Sequence, residues 1–170
     1  MNKHQARVQY GKETAIESNL NAYEHLAADY GYSIYGPDGK TLSVTAKDQL
    51  AKLDAGKMTI DEIAGQFRTA ALAHYSYLKP QFDAGLTLKQ IAAPAFSAIA
   101  NILERDTNTL TMNDTLIQKY LQGVDGKGVM PMYKYEALLK QDPSWQYTNN
   151  AHQTFANLAM NLGQRLRLIS

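Results

Sequence analysis

The fold is indicated most clearly by residues 59–78, which read TIDEIAGQFRTAALAHYSYL. Thr59 and Glu62 form a capping-box pattern, in which each side chain satisfies a backbone N–H of the first helical turn. Apolar residues then recur at intervals of three or four, which is the spacing of one face of an α-helix. These residues are Ile60, Ile63, Phe67, Ala71 and Leu78, and His74 falls on the same face. The stretch therefore predicts an amphipathic helix, and Pro80 ends it because proline lacks an N–H.

Similar signals on both sides of this stretch predict further helices. Pro94 is expected to divide the fourth helical region, and Thr111 with Asp114 is expected to open the fifth. The further segments are residues 13–30, 44–55, 87–103, 111–122, 131–139 and 148–169. The sequence thus predicts an all-α fold, an irregular bundle of about six or seven helices.

The last predicted helix, residues 148–169, has a continuous apolar face. Thr148, Asn149 or Asn150 is expected to cap its first turn, because short polar side chains accept hydrogen bonds from the free N–H groups there. The apolar face consists of Phe155, Leu158, Ala159, Leu162, Leu166 and Ile169. We expect this face to point into the core of the bundle.

The domain organisation is read from changes in composition. Residues 1–12 are mostly polar and predict a loose N-terminal arm. Residues 13–40 predict an N-terminal helix followed by a Tyr-rich turn, and residues 41–170 predict the helical bundle. Pro37 and Gly39 are typical of a tight turn, which allows one short hairpin near residues 32–42.

Composition excludes several classes of site. The 170 residues include no cysteine, which rules out disulfides, thiolate metal sites and a catalytic thiol. A net charge of +1 argues against a dedicated nucleic-acid-coating surface, although a local basic patch stays open. No apolar run is long enough to predict a membrane span, and the polar N-terminus does not resemble a signal peptide. We therefore expect synthesis in the cytoplasm.

One motif suggests catalysis. Residues 15–21 resemble the segment around the catalytic Glu of lytic transglycosylases, where a helical Glu protonates a glycosidic oxygen. Glu17 and Ser18 match that segment, but the glycine-rich sequence that follows in the family is missing here. The simpler interpretation is a solvated helical Glu. His4, His25, His74 and His152 lack the spacing of a metal site, so we predict no catalytic, cofactor-binding or metal-binding residues.

The chain is rich in tyrosine, with eleven tyrosines against four phenylalanines. A tyrosine ring has an apolar body and a polar tip, which suits half-buried contact surfaces. The alternative is that these rings cover the edges of a small core. The candidate interface residues are Tyr30, Tyr32, Tyr35, Tyr133, Tyr135 and the single tryptophan, Trp145.

Three stretches suggest a family. Residues 78–94 read LKPQFDAGLTLKQIAAP, residues 121–123 read LQG before a glycine-rich turn, and residues 139–151 read LKQDPSWQYTNNA. Together they resemble a group of minor virion or tail-associated structural proteins of actinobacterial bacteriophages. The resemblance extends over about two thirds of the chain and implies a helical region with no assigned catalytic residues.

The resemblance implies a structural or assembly protein of a phage particle, made in the host cytoplasm and then located in the virion. Its partners would be other virion proteins, bound in several copies through protein–protein contacts. Two alternatives stay open from the sequence: a peptidoglycan-cleaving enzyme that uses Glu17, and an internal virion protein associated with the genome.

Overall fold

A computed structural model of the protein describes the backbone of residues 3–166 and the side chains of residues 16–166. Within these residues the chain forms eight α-helices and three short 3-10 turns, with no strand, which confirms the all-α prediction. The α-helices are α1 (Lys3–Asp29), α2 (Val44–Asp54), α3 (Ile60–His74), α4 (Lys79–Asp83), α5 (Leu88–Leu103), α6 (Thr115–Gln122), α7 (Met132–Leu139) and α8 (Asn149–Arg165).

Helix lengths and hydropathy bear on membrane insertion. Among the described helices, none is by itself both long enough and apolar enough to cross a bilayer. The segments Ser76–Asp83 and Leu88–Leu103 reach the required length and composition only together, and they are bent by 104° relative to each other.

The chain forms two compact units, residues 1–91 and residues 92–170. The division falls within α5 and not at the 36–40 turn that the composition suggested as a border. The turn cannot separate two units because its surroundings belong to the core of the first one. Ile34 is buried there together with Tyr23, Ala27 and Ile63.

In the first unit, three tyrosine rings pack against the half-buried Phe67 ring of α3. The rings of Tyr23 and Tyr30 on α1 stack on Phe67 with centroid distances of 6.0 Å each, and Tyr32 stacks on it at 5.2 Å. The Tyr23 hydroxyl donates a hydrogen bond to Gln49 of α2, so this buried amide has a partner. Aromatic stacking therefore holds α1 against α3.

The hairpin suggested for residues 32–42 is reduced to one antiparallel bridge, between Tyr35 and Leu42. The Gly36 N–H donates to the Thr41 carbonyl at 2.7 Å. Asp38 accepts hydrogen bonds from Thr41 and from Lys40, and these bonds lower its pKa to about 2. The turn thus forms as predicted, but the chain enters α2 before a strand can form.

Four predicted helix boundaries are wrong. The helix predicted to run to Leu78 and to end at Pro80 ends at His74, and Pro80 lies within α4. Residues 3–12, predicted as a loose arm, lie in α1, since polar residues such as Lys, Gln and Arg are good helix formers. Pro94 does not divide α5, which continues through it from Leu88 to Leu103. Pro94 has no N–H to donate to the carbonyl of Gln90, four residues earlier, and both residues are exposed. Helix α6 begins at Thr115 and not at Thr111, because Asp114 is the residue whose side chain accepts from the Leu116 N–H, at 2.9 Å.

The second unit has its own core, in which α6 and α7 meet through Tyr135. This ring is fully buried, lies 5.1 Å from the Tyr120 ring and donates from its hydroxyl to the Leu116 carbonyl at 3.1 Å. Burial raises the pKa of Tyr135 well above its ordinary value, so the hydroxyl stays protonated and keeps donating. This contact fixes α7 against α6.

Candidate interface at helix α8

The candidate interface tyrosines do not form a single surface. Tyr30 and Tyr135 are 4% and 0% exposed, so the interface prediction is wrong for these two, which are core residues. Their rings are covered because they supply the stacking contacts of the two cores. Tyr32 and Tyr133 are exposed, and Tyr35 is half-buried. The tyrosine bias therefore serves the core at least as much as it serves the surface.

The residues considered for catalysis or metal binding stay apart. Glu17 is exposed on α1, whereas the general acid of a glycosidase lies in a cleft beside a second carboxylate. His25, His74 and His152 are also exposed, so His74 does not belong to the core as its place on the apolar face suggested. His4 lies outside the described side chains. In the described part of the chain, no three His, Asp or Glu residues are grouped as a metal site requires.

The start of α8 is held by contacts from its own residues. Thr148 is the N-cap, and its hydroxyl accepts from the Ala151 N–H at 3.1 Å while donating to the Trp145 carbonyl at 2.7 Å. Of the three residues predicted as possible caps, Thr148 is therefore the N-cap. The preceding residues 142–148 form a tight turn in which Asp142 accepts from Ser144.

A second anchor comes from Glu104, which follows the last residue of α5. Its carboxylate accepts hydrogen bonds from the backbone N–H groups of Asn149 and Asn150, at 3.1 and 3.0 Å. These bonds lower the pKa of Glu104, and they satisfy donors at the positive end of the α8 dipole. The Asn150 side chain also donates to the carbonyl of Asn101. The C-terminal end of α5 is thereby tied to the first turn of α8.

Glu104 has an unusual backbone conformation. Its φ of +53° is the one positive value among the described non-glycine residues. Such a conformation costs free energy for a residue with a side chain, and it persists where surrounding contacts hold it. Here the left-handed turn ends α5 and directs the carboxylate to α8. No local pattern in the sequence reveals this role, because Glu104 and Asn149 are 45 residues apart.

Beyond its first turn, α8 presents an uncovered apolar face. We call Phe155, Leu158, Leu162 and Leu166 the α8 stripe; their exposed fractions lie between 50% and 65%. Among the described residues of α8, Ala151 is the one that is buried. The prediction that this face points into the core is therefore wrong, because no described part of the chain covers it. Ile169 lies outside the described residues.

Trp145 borders this stripe. Its ring lies 5.8 Å from the Phe155 ring at a tilt of 54°, so the first aromatic of the stripe is supported from one side. Trp145 also lines a shallow depression of about 220 Å³. The other lining residues are Asn101, Ile102, Lys140, Asn150 and Thr154. Of the six candidate interface residues, Trp145 is the one placed beside the exposed apolar face.

The charge of α8 is unusually low. The helix contains no Asp, Glu or Lys, and its polar side consists mainly of Asn and Gln. Arg165 is its one permanently charged residue, in the last turn, where a cation interacts favourably with the helix dipole. An exposed apolar stripe on a nearly uncharged helix is suited to contact with another protein surface.

Comparison with known proteins adds no identification. The chain matches no model of a protein family, no curated protein and no solved structure.

Proposed function

We propose that this protein is a structural or assembly protein of a bacteriophage particle, minor virion or tail-associated, that acts through protein–protein contacts. The assignment to a phage particle rests on the resemblance of residues 78–94, 121–123 and 139–151. The observation that supports a contact function is the α8 stripe, because exposed apolar surface of this kind marks interaction sites.

The way α8 is fixed supports the same proposal. An interaction surface works best when it is presented by a rigid base, since less conformational entropy is lost on binding. Thr148 and Glu104 fix the first turn of α8, and Trp145 supports Phe155. The stripe then extends from this base for the length of the helix.

The test is incorporation into particles. Phage particles assembled with the wild-type chain should contain it at a fixed stoichiometry. The double substitution Leu158→Glu with Leu162→Glu should remove it from particles, because two carboxylates would have to be desolvated in the contact. Both residues are exposed, so the variant should fold normally, which circular dichroism can check.

The matched control places the same charges on the other side of α8. Asn157→Glu with Gln164→Glu also adds two carboxylates, at exposed positions about 100° or more around the helix from every residue of the α8 stripe. This variant should be incorporated like the wild type. Equal incorporation of both variants, or no association of the wild type with particles, would contradict the proposal.

The two alternatives give different results in separate assays. Peptidoglycan turnover that Glu17→Gln abolishes would establish a glycosidase, although the exposed position of Glu17 does not favour it. DNA binding that falls steeply with salt would favour a genome-associated protein. The net charge of +1 does not favour that function either.

A further inference from the structure

The depression beside Trp145 is built from separate segments of the second unit. Asn101 and Ile102 lie near the end of α5, Lys140 follows α7, Trp145 opens the 3-10 turn before α8, and Asn150 and Thr154 lie in α8. The Asn150 side chain joins two of these segments, because it donates to the carbonyl of Asn101. The walls are thus held together before a ligand binds, which reduces the entropy lost on binding.

The polar side chains of the depression retain hydrogen-bonding capacity. The amide of Asn101 and the ammonium group of Lys140 make no hydrogen bond or ion pair to another described residue. The Thr154 hydroxyl donates to the Asn150 carbonyl at 2.7 Å, so its oxygen can still accept, as can the side-chain oxygen of Asn150. The depression therefore offers both donors and acceptors to a ligand.

Two apolar side chains complete the depression. Among the described residues that line it, Trp145 is the aromatic one and Ile102 the aliphatic one. Trp145 is half-buried, and the Phe155 ring supports it at a centroid distance of 5.8 Å. The face of an indole carries partial negative charge and attracts the partly positive C–H groups of a ligand. A ring that presents C–H groups on one face would therefore pack well here.

The size of the depression limits the ligand to a small group. Its volume of about 220 Å³ is below the roughly 300–1,000 Å³ of sites for drug-sized ligands. One six-membered ring is of the appropriate size. Because the depression is shallow, substituents on such a ring can extend into solvent, so the ring can be one unit of a longer chain.

The mixture of groups distinguishes between classes of ligand. A phosphate or carboxylate only accepts hydrogen bonds, so it would leave the acceptors of Asn150 and Thr154 unpaired. The Glu104 carboxylate, which accepts from the Asn150 N–H at 3.0 Å, would also repel an anion. A fully apolar ring would take Asn101 and Lys140 out of water without replacing their hydrogen bonds. A sugar hydroxyl both donates and accepts, and the ring that carries it has C–H groups.

We propose that this depression is a carbohydrate-binding subsite for one neutral sugar ring. Trp145 and Ile102 pack against the ring, while Asn101, Asn150 and Lys140 bind its hydroxyls. The subsite is a separate feature from the α8 stripe, so the inference goes beyond the proposed function and does not depend on it. A single ring makes few contacts, and we therefore expect a dissociation constant in the millimolar range for a monosaccharide.

The first measurement uses the intrinsic fluorescence of the full chain. Trp145 is its one tryptophan, so the emission reports on this depression. The probes are glucose, galactose, mannose, N-acetylglucosamine and N-acetylgalactosamine. At least one of these sugars should change the emission saturably, whereas inorganic phosphate and adenosine monophosphate should not. Saturation-transfer NMR with the same probes detects binding independently of fluorescence.

Two variants locate the bound sugar. Asn101→Ala removes the amide but keeps the backbone carbonyl that Asn150 uses, and Lys140→Ala removes the ammonium group. Each should raise the dissociation constant about two- to tenfold, because one hydrogen bond to the ligand is lost. The controls are Asn157→Ala and Lys134→Ala, exposed residues of the same types that do not line the depression. Both controls should bind the sugar like the wild type.

Each remaining outcome would overturn the subsite. Such outcomes are no binding of any of the five sugars by either method, or binding that Asn101→Ala and Lys140→Ala leave unchanged. Saturable binding of phosphate or of the nucleotide instead would indicate an anion site. The variant with Leu158→Glu and Leu162→Glu should still bind the sugar, and Asn101→Ala should still enter particles. The subsite and the proposed contact function can therefore fail separately.

Discussion

Helices α6 and α8 begin alike and end in different surroundings. Each has an N-cap whose side chain accepts from a backbone N–H of the first turn, Asp114 in α6 and Thr148 in α8. Each carries one apolar side. In α6 that side is buried at Leu116, Ile117, Tyr120 and Leu121, whereas in α8 it is buried at Ala151 alone. The same pattern thus produces a core helix in one place and an uncovered helix in another.

The difference teaches what an apolar stripe means. An apolar stripe indicates that the free energy falls when that side of the helix is removed from water. The stripe alone does not indicate which surface covers that side. For α6 that surface includes α7, through Tyr135 and Tyr120. For α8 the described residues do not supply it.

The largest contrast is expected from one substitution made in both helices. Leu121→Ala in α6 should lower the free energy of unfolding by about 2–5 kcal/mol, because it leaves a cavity at a fully buried position. Leu158→Ala in α8 should cost less than about 0.5 kcal/mol in dilute protein, since its side chain is 54% exposed. Urea unfolding of both variants measures the difference. Equal costs would show that α8 is packed as tightly as α6.

The turn after α6 should respond next. Gly123 has a φ of +65°, and a Cβ at this position would lie 2.0 Å from the carbonyl oxygen of Gly128. Gly123→Ala should therefore cost at least about 1–3 kcal/mol from backbone strain, with a further loss as the turn shifts. Gly126→Ala is the control, because its φ is similar but its space is open. The melting temperature of Gly123→Ala should be lower than that of Gly126→Ala. The reverse order would contradict the close approach of position 123 to the Gly128 carbonyl.

A smaller effect is expected where α6 meets α7. Tyr135→Phe removes the hydroxyl that donates to the Leu116 carbonyl and leaves that buried acceptor without this donor. The expected loss is about 1–3 kcal/mol in the free energy of unfolding. Tyr133→Phe is the control on the same helix, and it should change little because Tyr133 is 70% exposed. Similar values for both would mean that the hydroxyl of Tyr135 contributes nothing.

The smallest effect concerns the anchor of α8 and depends on pH. Hydrogen bonds from Asn149 and Asn150 lower the pKa of Glu104 below the ordinary value of about 4.3. The anchor is therefore fully present above that ordinary value and is lost as the pH falls through the lowered pKa. The fluorescence of Trp145, which contacts Phe155, should report the loosening of α8 in acid.

Two variants isolate the contribution of Glu104. Glu104→Gln should remove most of the acid-induced change, since it has no carboxylate to titrate. Asp142 also has a lowered pKa, from its hydrogen bonds with Ser144, and it lies close to Trp145 in the chain. Asp142→Asn should leave the Glu104-dependent part of the change in place. An unchanged acid response in Glu104→Gln would show that Glu104 is not the anchor.

The sequence predicted the parts of the fold that depend on a few neighbouring residues. Thr59 and Glu62 form the capping box as predicted, with the Thr59 N–H donating to Glu62 at 2.7 Å and the Glu62 N–H donating to Thr59 at 3.2 Å. Such contacts form within one turn of chain, so composition and spacing are sufficient to find them.

The sequence predicted less of the candidate interface at α8. Trp145 was singled out for its chemistry, yet the surface beside it was predicted to be core. Glu104 was not singled out at all, although it holds α8 through bonds that span 45 residues. Spacing within one segment has no information on which distant segment will approach it.

By itself, therefore, the sequence determined that the described chain is all-α, where most of its helices begin and end, and which side of each helix is apolar. The tertiary structure decided which apolar sides are covered and which tyrosines are core, and it brought the carboxylate of Glu104 to the first turn of α8. The physical reason is the distance along the chain over which each interaction acts. Capping and periodicity act over three or four residues, while burial depends on surfaces contributed by segments far apart in the chain.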